Sequence, residues 1–259
     1  GMCITAILIT AGVNPWVACA GSFLGGAVAG CITGLLHVKL KISDLLSGIL
    51  VMTGLYSINL FITGGSAVVQ FYNKSTIFNS GLAALFPEQM SPYRVTLIAL
   101  LIVIVVKLLL DLYLKTKSGL LLRASGDNAQ FVTSLGRDPG ALKIIGLAIG
   151  NGCTALSGSV LSQQNETANI ASGTGMVVMA LASVIIGTSL FKKVKWVRAT
   201  VAVVLGAILY KACLVVAIQL GLPTNFLKLL MAVLLTVVLV ANHTLSGRRK
   251  KQNVNPTKI

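Results

Sequence analysis

The chain alternates long apolar runs with short polar connections. An α-helix needs about 20 apolar residues to cross the ~30 Å hydrocarbon core of a bilayer. Runs of that kind fall at about 16–37, 44–65, 94–114, 141–163, 173–190, 199–220 and 227–245. A shorter run at 2–12 reads as the end of one more span, so the chain is expected to begin inside a helix. The pattern predicts an all-α, polytopic helical membrane protein, with about 7 complete transmembrane helices plus a truncated first one. Residues 1–246 form the transmembrane domain and 247–259 a basic tail. The start of the chain lacks the charged region, short apolar stretch and cleavage site of a signal peptide.

Composition narrows this further. Apolar residues make up 55% and charged residues only 10%, against about 25% charged in a soluble domain. Mean hydropathy is +0.89. Six acidic residues cannot supply a soluble surface, which excludes a soluble enzyme, a disordered chain and a coiled coil. The net charge of +15 is spread over the connections rather than along one face, which speaks for membrane topology and against nucleic acid. With the tail after 245 in the cytoplasm, the cytoplasmic side collects sixteen Lys and Arg, among them Lys39, Lys41, Lys115, Lys117, Arg123, Arg137 and Lys143. The outer side holds three: Lys74, Arg94 and Lys228. Lys107 and Lys211 stay inside spans.

The chemistry inside the spans is sparse. Cys3, Cys19, Cys31, Cys153 and Cys213 sit in apolar runs without metal-ligand spacing and read as small buried hydrophobes. There is no P-loop, H-E-x-x-H or G-x-S-x-G, so no catalytic or metal-binding residue is assigned. His37 and His243 lie alone near span ends and read as solvated interfacial residues. Asp111 stands one turn from Lys107, as a pair that snorkels toward the surface. Nothing in the chain resembles an engine of its own, so whatever drives transport is expected in another subunit.

Two polar stripes stand out. One runs along 141–163 through Asn151, Thr154, Gly158 and Ser162, with Ser157 beside them, followed by a polar outward loop at 163–167. The other comprises Thr53, Tyr56, Ser57 and Asn59. Bare polar groups are costly in lipid, so each stripe either bonds neighbouring helices or lines a translocation path. Lys211, near the middle of its span, belongs to the same candidate path. Gly21, Gly25, Gly26, Gly30 and Gly34 give overlapping G-x-x-x-G spacings and predict a tightly packed central helix. The outer connection at 66–93 contains an apolar patch, Gly81 to Phe86, suited to dipping into the membrane or forming a lid. The cytoplasmic connection at 115–140 predicts a short helix over 127–135, capped by Asp127 or Ser125 and released at Gly136. Phe131 and Leu135 lie one turn apart on it as an exposed apolar pair.

This last segment carries a resemblance. Arg123-Ala124-Ser125-Gly126-Asp127-Asn128, then Leu135-Gly136, then Leu142-Lys143 entering a small-residue span, is similar to permease subunits of ABC importers, in the branch of the branched-chain amino acid and ribose permeases. Leu156-Ser157-Gly158, Gly173-Thr174-Gly175, Leu181 to Gly187 and Gly221-Leu222-Pro223 follow in the family's order. Lys41-Ile42, Gly48-Ile49-Leu50 and Thr53 to Leu60 resemble a tryptophan/tyrosine-type subgroup. The family has a further span and an amphipathic lead-in upstream of the point where this sequence starts. The resemblance implies a multi-pass protein of the bacterial cytoplasmic membrane with a cytoplasmic C-terminus. It implies a second permease copy, an ATP-binding subunit that holds ATP and Mg, and an extracytoplasmic substrate-binding protein. It makes 124–136 a coupling helix docked on the ATPase through Arg123, Gly126, Asp127, Asn128, Phe131, Leu135 and Gly136. The expected cargo is an amino acid, aromatic by the subgroup. The alternatives are a sugar or nucleoside permease of the same kind, an ion-coupled secondary carrier, or a membrane scaffold.

Overall fold

The computed structural model describes residues 1–80, 91–173, 176–191 and 198–221, together with 223, 226, 229–230, 232–233, 236–237 and 240. It divides into two compact units, Gly1–Ala171 and Ser172–Ile259.

In the first unit α1 (Met2–Thr10), α2 (Pro15–Val38) and α3 (Asp44–Ile62) precede β1 (Val68–Gln70). Then come α4 (Ser91–Lys115), α5 (Lys117–Asp127), α6 (Ala129–Ser134), α7 (Pro139–Asn165) and β2 (Thr167–Asn169). A 3₁₀ turn, Ile170–Gly173, leads out of the unit. The second unit contains α8 (Met176–Phe191) and α9 (Ala199–Gln219). Among the described residues, five helices are long and apolar enough to cross a membrane: Pro15–Val38, Asp44–Ile62, Tyr93–Lys115, Pro139–Asn165 and Ala199–Gln219. They fall on five of the seven complete spans expected from the sequence. The sixth, α8, has only 16 residues. The span expected at 227–245 lies mostly outside the described residues; its described positions 229–230, 232–233, 236–237 and 240 are helical.

Local chemistry sets the helix starts. Asn14 accepts the Trp16 N–H at 3.0 Å and Pro15 opens α2. Asp138 accepts from Gly140 at 2.8 Å and Ala141 at 3.3 Å, with Pro139 as the first residue of α7. These side chains satisfy donors that a helix start leaves unpaired, and proline there gives up an N–H that has no partner in any case.

α2 and α7 form the central pair, running antiparallel. The glycines of α2 make the seam. A Cβ on Gly26 would run into Ala155, one on Gly30 into the Leu147 carbonyl, and one on Gly34 would lie 2.9 Å from Ile144 Cα. On an adjacent strip, Gly21 and Gly25 receive Leu8 and Ile4 of α1. The G-x-x-x-G spacing therefore packs two neighbours onto one helix. α8 and α9 repeat the device in the second unit, where Gly187 abuts the Ala202 carbonyl and Gly206 the Ser183 carbonyl.

Large apolar side chains point outward instead of inward. Leu24, Leu45, Phe61, Leu109 and Leu112 are each at least 60% exposed. Contiguous exposure of that kind suits lipid as the surrounding medium. Buried positions of the first unit are mostly small or polar, such as Ala6, Ala18, Ser22, Ala155 and Ser159.

One feature has no counterpart in the all-α expectation. β1 and β2 pair antiparallel, with Val68 opposite Asn169, Val69 opposite Ala168 and Gln70 opposite Thr167. Phe71 N–H to Glu166 O (3.0 Å) and Ile170 N–H to Ala67 O (3.0 Å) extend the ladder. This ties part of the connection after α3 to the end of α7 and covers a small cluster of Ala6, Ile9, Ala18, Phe71 and Ala168. The apolar patch at 81–86 lies outside the described residues.

The sheet marks one end of the first unit. The other end gathers the α2–α3 turn, the α4–α5 junction and the start of α7. There Leu122 of α5 packs on Gly146, and Gly140 meets Val38. Lys39, Lys41, Lys115, Lys117, Arg123, Arg137 and Lys143 all belong to this basic end, whereas Lys74 and Arg94 belong to the sheet end.

Candidate functional site

The connection between α4 and α7 is two helices. Thr116 caps α5 by accepting the Gly119 N–H at 3.2 Å, and Gly119 sits tight against the Tyr113 carbonyl at the junction of α4 and α5. α5 then ends at Asp127. Asn128 adopts an extended conformation (φ −152°, ψ 100°), and its Oδ1 accepts the Phe131 N–H at 3.2 Å. The cap of α6 is thus Asn128, in place of the expected Asp127 or Ser125. A side chain that competes for backbone N–H groups breaks one helix and starts the next. The single coupling helix expected over 124–136 is corrected accordingly: Arg123, Gly126 and Asp127 close α5, and Phe131 lies in α6. Gly136 makes the expected exit, with φ +70° and its N–H bonded to Thr133 O at 2.9 Å.

Phe131 and Leu135 are each 53% exposed, while Val132 is fully buried. α6 therefore rests on Val132 and presents the apolar pair outward. Val132 was not singled out in the sequence, where it stands between two apolar residues one turn apart and only about 100° around the helix from the first.

Beside this segment, His37 joins three elements. Its Nδ1 lies 2.8 Å from Asp44 Oδ1 and 2.9 Å from Ile42 O, and its Nε2 lies 3.4 Å from Lys143 Nζ. The expectation of a lone solvated histidine is corrected: His37 clasps the ends of α2, α3 and α7 together. His243 lies outside the described residues.

The structure sorts the stripe on α7 into two faces. Asn151 donates to Leu147 O at 2.9 Å and backs onto Gly26, and Ser162 is fully buried. Gly158 lies beside Met2. These three belong to the packed interior. Thr154 and Ser157 are exposed, with Gly150 beside them open to space, and Thr154 bonds back to Gly150 O at 2.9 Å. On α3, Thr53 bonds to Ile49 O and Leu50 O at 3.0 and 2.9 Å. Thr53, Tyr56 and Ser57 are exposed and Asn59 is half-buried. Tyr56 and Ser57 line a shallow depression of about 500 Å³ with Leu60, Phe61, Gly64 and Gly65. Ser47 is the only described α3 residue that is buried, so this apolar helix with its polar stripe has almost no partner within the unit. Among the described residues no hydrogen bond joins the α3 set to the α7 set. A groove of about 650 Å³ between α2, α4 and α7 is lined by Trp16, Phe23, Val105, Leu109 and Cys153 among other apolar groups, which makes it a poor route for a polar solute.

Charges inside spans number few. Lys107 and Asp111 form the expected ion pair at 2.9 Å, with Asp111 nearly buried. Lys211 in α9 is exposed, next to the buried Tyr210.

The sequence reading missed a buried polar network. Thr5 bonds to Ser22 and Ser159 at 2.7 Å each. Ser159 reaches Cys19 Sγ at 3.3 Å, and Gln163 Nε2 reaches the same sulfur at 3.1 Å. Gln163 Oε1 accepts the Ile77 N–H at 3.0 Å. Cys19 is buried, as expected, but serves as an acceptor. Gln163, expected in the polar loop, sits in the last turn of α7. The signal was the spacing of Ala155, Ser159, Ser162 and Gln163, which continues the face that packs against α2.

Long apolar helices with lipid-suited surfaces, joined by short polar turns, define a multi-pass membrane protein. The chain belongs to the ABC-type permease family described as branched-chain amino acid transport system / permease component, which it matches over residues 1–239. It is a transport protein rather than a catalyst. It is 42% identical over 253 residues, 98% of this chain and 81% of the relative, to a tyrosine transport system permease protein of Clostridioides difficile strain R20291. It is 32% identical over 193 residues to the autoinducer 2 import system permease protein LsrC of Escherichia coli O9:H4 strain HS, covering 72% of this chain but only 53% of that one. No solved structure matches it.

Proposed function

We propose that this chain is the membrane permease of an ATP-driven importer that moves an amino acid, aromatic in kind, inward from an extracytoplasmic binding protein. The carrying observation is the 42% identity to a tyrosine permease along nearly the whole chain. In this reading the protein lies in a bacterial cytoplasmic membrane and the basic end faces the cytoplasm, as positively charged connections favour. Two copies assemble. ATP and Mg are held by a separate ATP-binding subunit, and the chain itself holds no cofactor. Thr53, Tyr56, Ser57, Asn59, Thr154, Ser157 and Lys211 border the solute's route, and Asn151 supports it from behind.

The ATPase docks on the α5–α6 segment. Phe131 and Leu135 lie on the basic end, half exposed on a capped helix. Burying both would contribute roughly 3–5 kcal/mol before the costs of association. The test is co-purification and ATP-dependent tyrosine uptake in proteoliposomes. Phe131→Ala with Leu135→Ala is expected to leave the permease folded in the membrane, release the ATPase and abolish uptake. A normal permease–ATPase complex in that double variant shows that α6 is not the dock.

A sugar-type cargo is the second reading, favoured by the LsrC likeness. Uptake competition between tyrosine and sugars separates the two.

A further inference from the structure

We propose that Lys211 meets the carboxylate of the transported solute inside the membrane. The inference rests on the reading of the chain as an importer permease and deepens it: it makes the cargo a carboxylate-bearing molecule, as every free amino acid is.

Depth comes first. α9 spans Ala199–Gln219. At 1.5 Å per residue, Lys211 lies about 18 Å from the first of these residues and about 12 Å from the last. A four-carbon stem covers only about half of the shorter distance, so snorkelling does not bring the ammonium to a lipid phosphate. The side chain is exposed on its unit. Among the described residues it makes no ion pair.

The unit that carries Lys211 has no acidic residue of its own, since all six lie at or before Glu166. There are six acidic residues. Asp44 holds His37 and Asp111 holds Lys107. Asp138 caps α7, Asp127 ends α5 and Glu166 ends α7. Glu88 belongs to the connection between α3 and α4. Asp111 is thus the one acid inside a described span rather than at its end, and it is already paired. An ammonium held at this depth without a counter-charge is costly. Cargo that brings a carboxylate supplies that charge in passing, through a charge-assisted hydrogen bond. A neutral sugar or nucleoside has no such group to offer.

The experiment uses the full complex with its ATP-binding subunit and binding protein in proteoliposomes, and L-tyrosine as the probe. Lys211→Gln is expected to lower the maximal uptake rate at saturating binding protein at least about tenfold. ATPase activity stimulated by the binding protein stays within about twofold. Lys211→Arg keeps at least about a third of the uptake. Wild-type uptake by Lys211→Gln overturns the assignment, and so does equal loss in the Gln and Arg variants. Should the Gln variant fail to assemble, Lys211→Cys in a Cys213→Ser background is labelled after assembly with a cationic or an anionic thiosulfonate. Only the cationic adduct is expected to restore uptake, and equal rates for the two adducts overturn the assignment. If the wild-type complex takes up no tyrosine, the amino-acid importer reading falls and takes this inference with it. Normal tyrosine uptake by Lys211→Gln removes this inference alone.

Discussion

Gln163 shows what one side chain does in a membrane-suited interior. Its amide accepts the Ile77 N–H at 3.0 Å and donates to Cys19 Sγ at 3.1 Å, with Pro15 O and Ser159 Oγ at 3.4 Å. It thereby ties the end of α7 to the start of α2 and to the turn that leads toward α4. A leucine there would fill similar space and leave the buried Ile77 N–H without a partner. Such a loss costs about 1–3 kcal/mol. Gln163→Leu is therefore expected to lower the thermal midpoint of the detergent-solubilised protein, while Gln164→Leu, at an exposed position, leaves it within error. Equal midpoints for the two variants would rule out the bridging role.

Helix by helix, the α2–α7 seam and the bare flank of α3 are opposites. Gly30 touches the Leu147 carbonyl, whereas Gly48 and Gly54 of α3 face open space. An added methyl at Gly30 must push two backbones apart, a form of overpacking that costs about 1–3 kcal/mol. The same methyl at Gly54 meets nothing and favours the helix slightly. Gly30→Ala is expected to destabilise the isolated protein and Gly54→Ala to leave it unchanged or more stable, as read by thermal unfolding in micelles. The reverse order would show that α2 and α7 do not meet along their glycines. The spacing of Gly26, Gly30 and Gly34 made this seam legible in advance. α6 was legible in part: Gly136 marked its exit, but the sequence pointed to Asp127 or Ser125 as its cap, and backbone conformation selects Asn128.

For the whole molecule, the alternation of connections governs the proposed function, because it decides which segments the proposed ATP-binding subunit and binding protein can reach. The structure groups seven basic residues, from Lys39 to Lys143, at one end of the first unit and Lys74 with Arg94 at the other. A single cysteine placed at Lys74 or at Lys117, in a background without the native cysteines, checks which end faces out. An impermeant thiol reagent applied to intact cells is expected to label position 74, and to reach position 117 only after the membrane is opened. The opposite pattern would invert the protein and remove α6 from the ATPase's side.

The sequence by itself determined where the long apolar helices run and, at several ends, where they stop. Length and hydropathy are local properties, and Asn14, Asp138 and Gly136 act on backbone groups within a few residues. It also determined the family, because ordered motifs along 1–239 do not depend on how helices rotate. Only tertiary structure decided which polar groups face inward. Successive residues of a helix differ by about 100° in direction, so Asn151 packs on Gly26 while Thr154, three positions on, stays exposed. The α2–α7 seam fixes that rotation. Tertiary structure likewise brought Asp44 and Lys143 to His37, and paired the three-residue strand Val68–Gln70 with Thr167–Asn169. Contacts between segments so distant along the chain leave no periodic trace in either one, since each depends on the position the other helices give its partner.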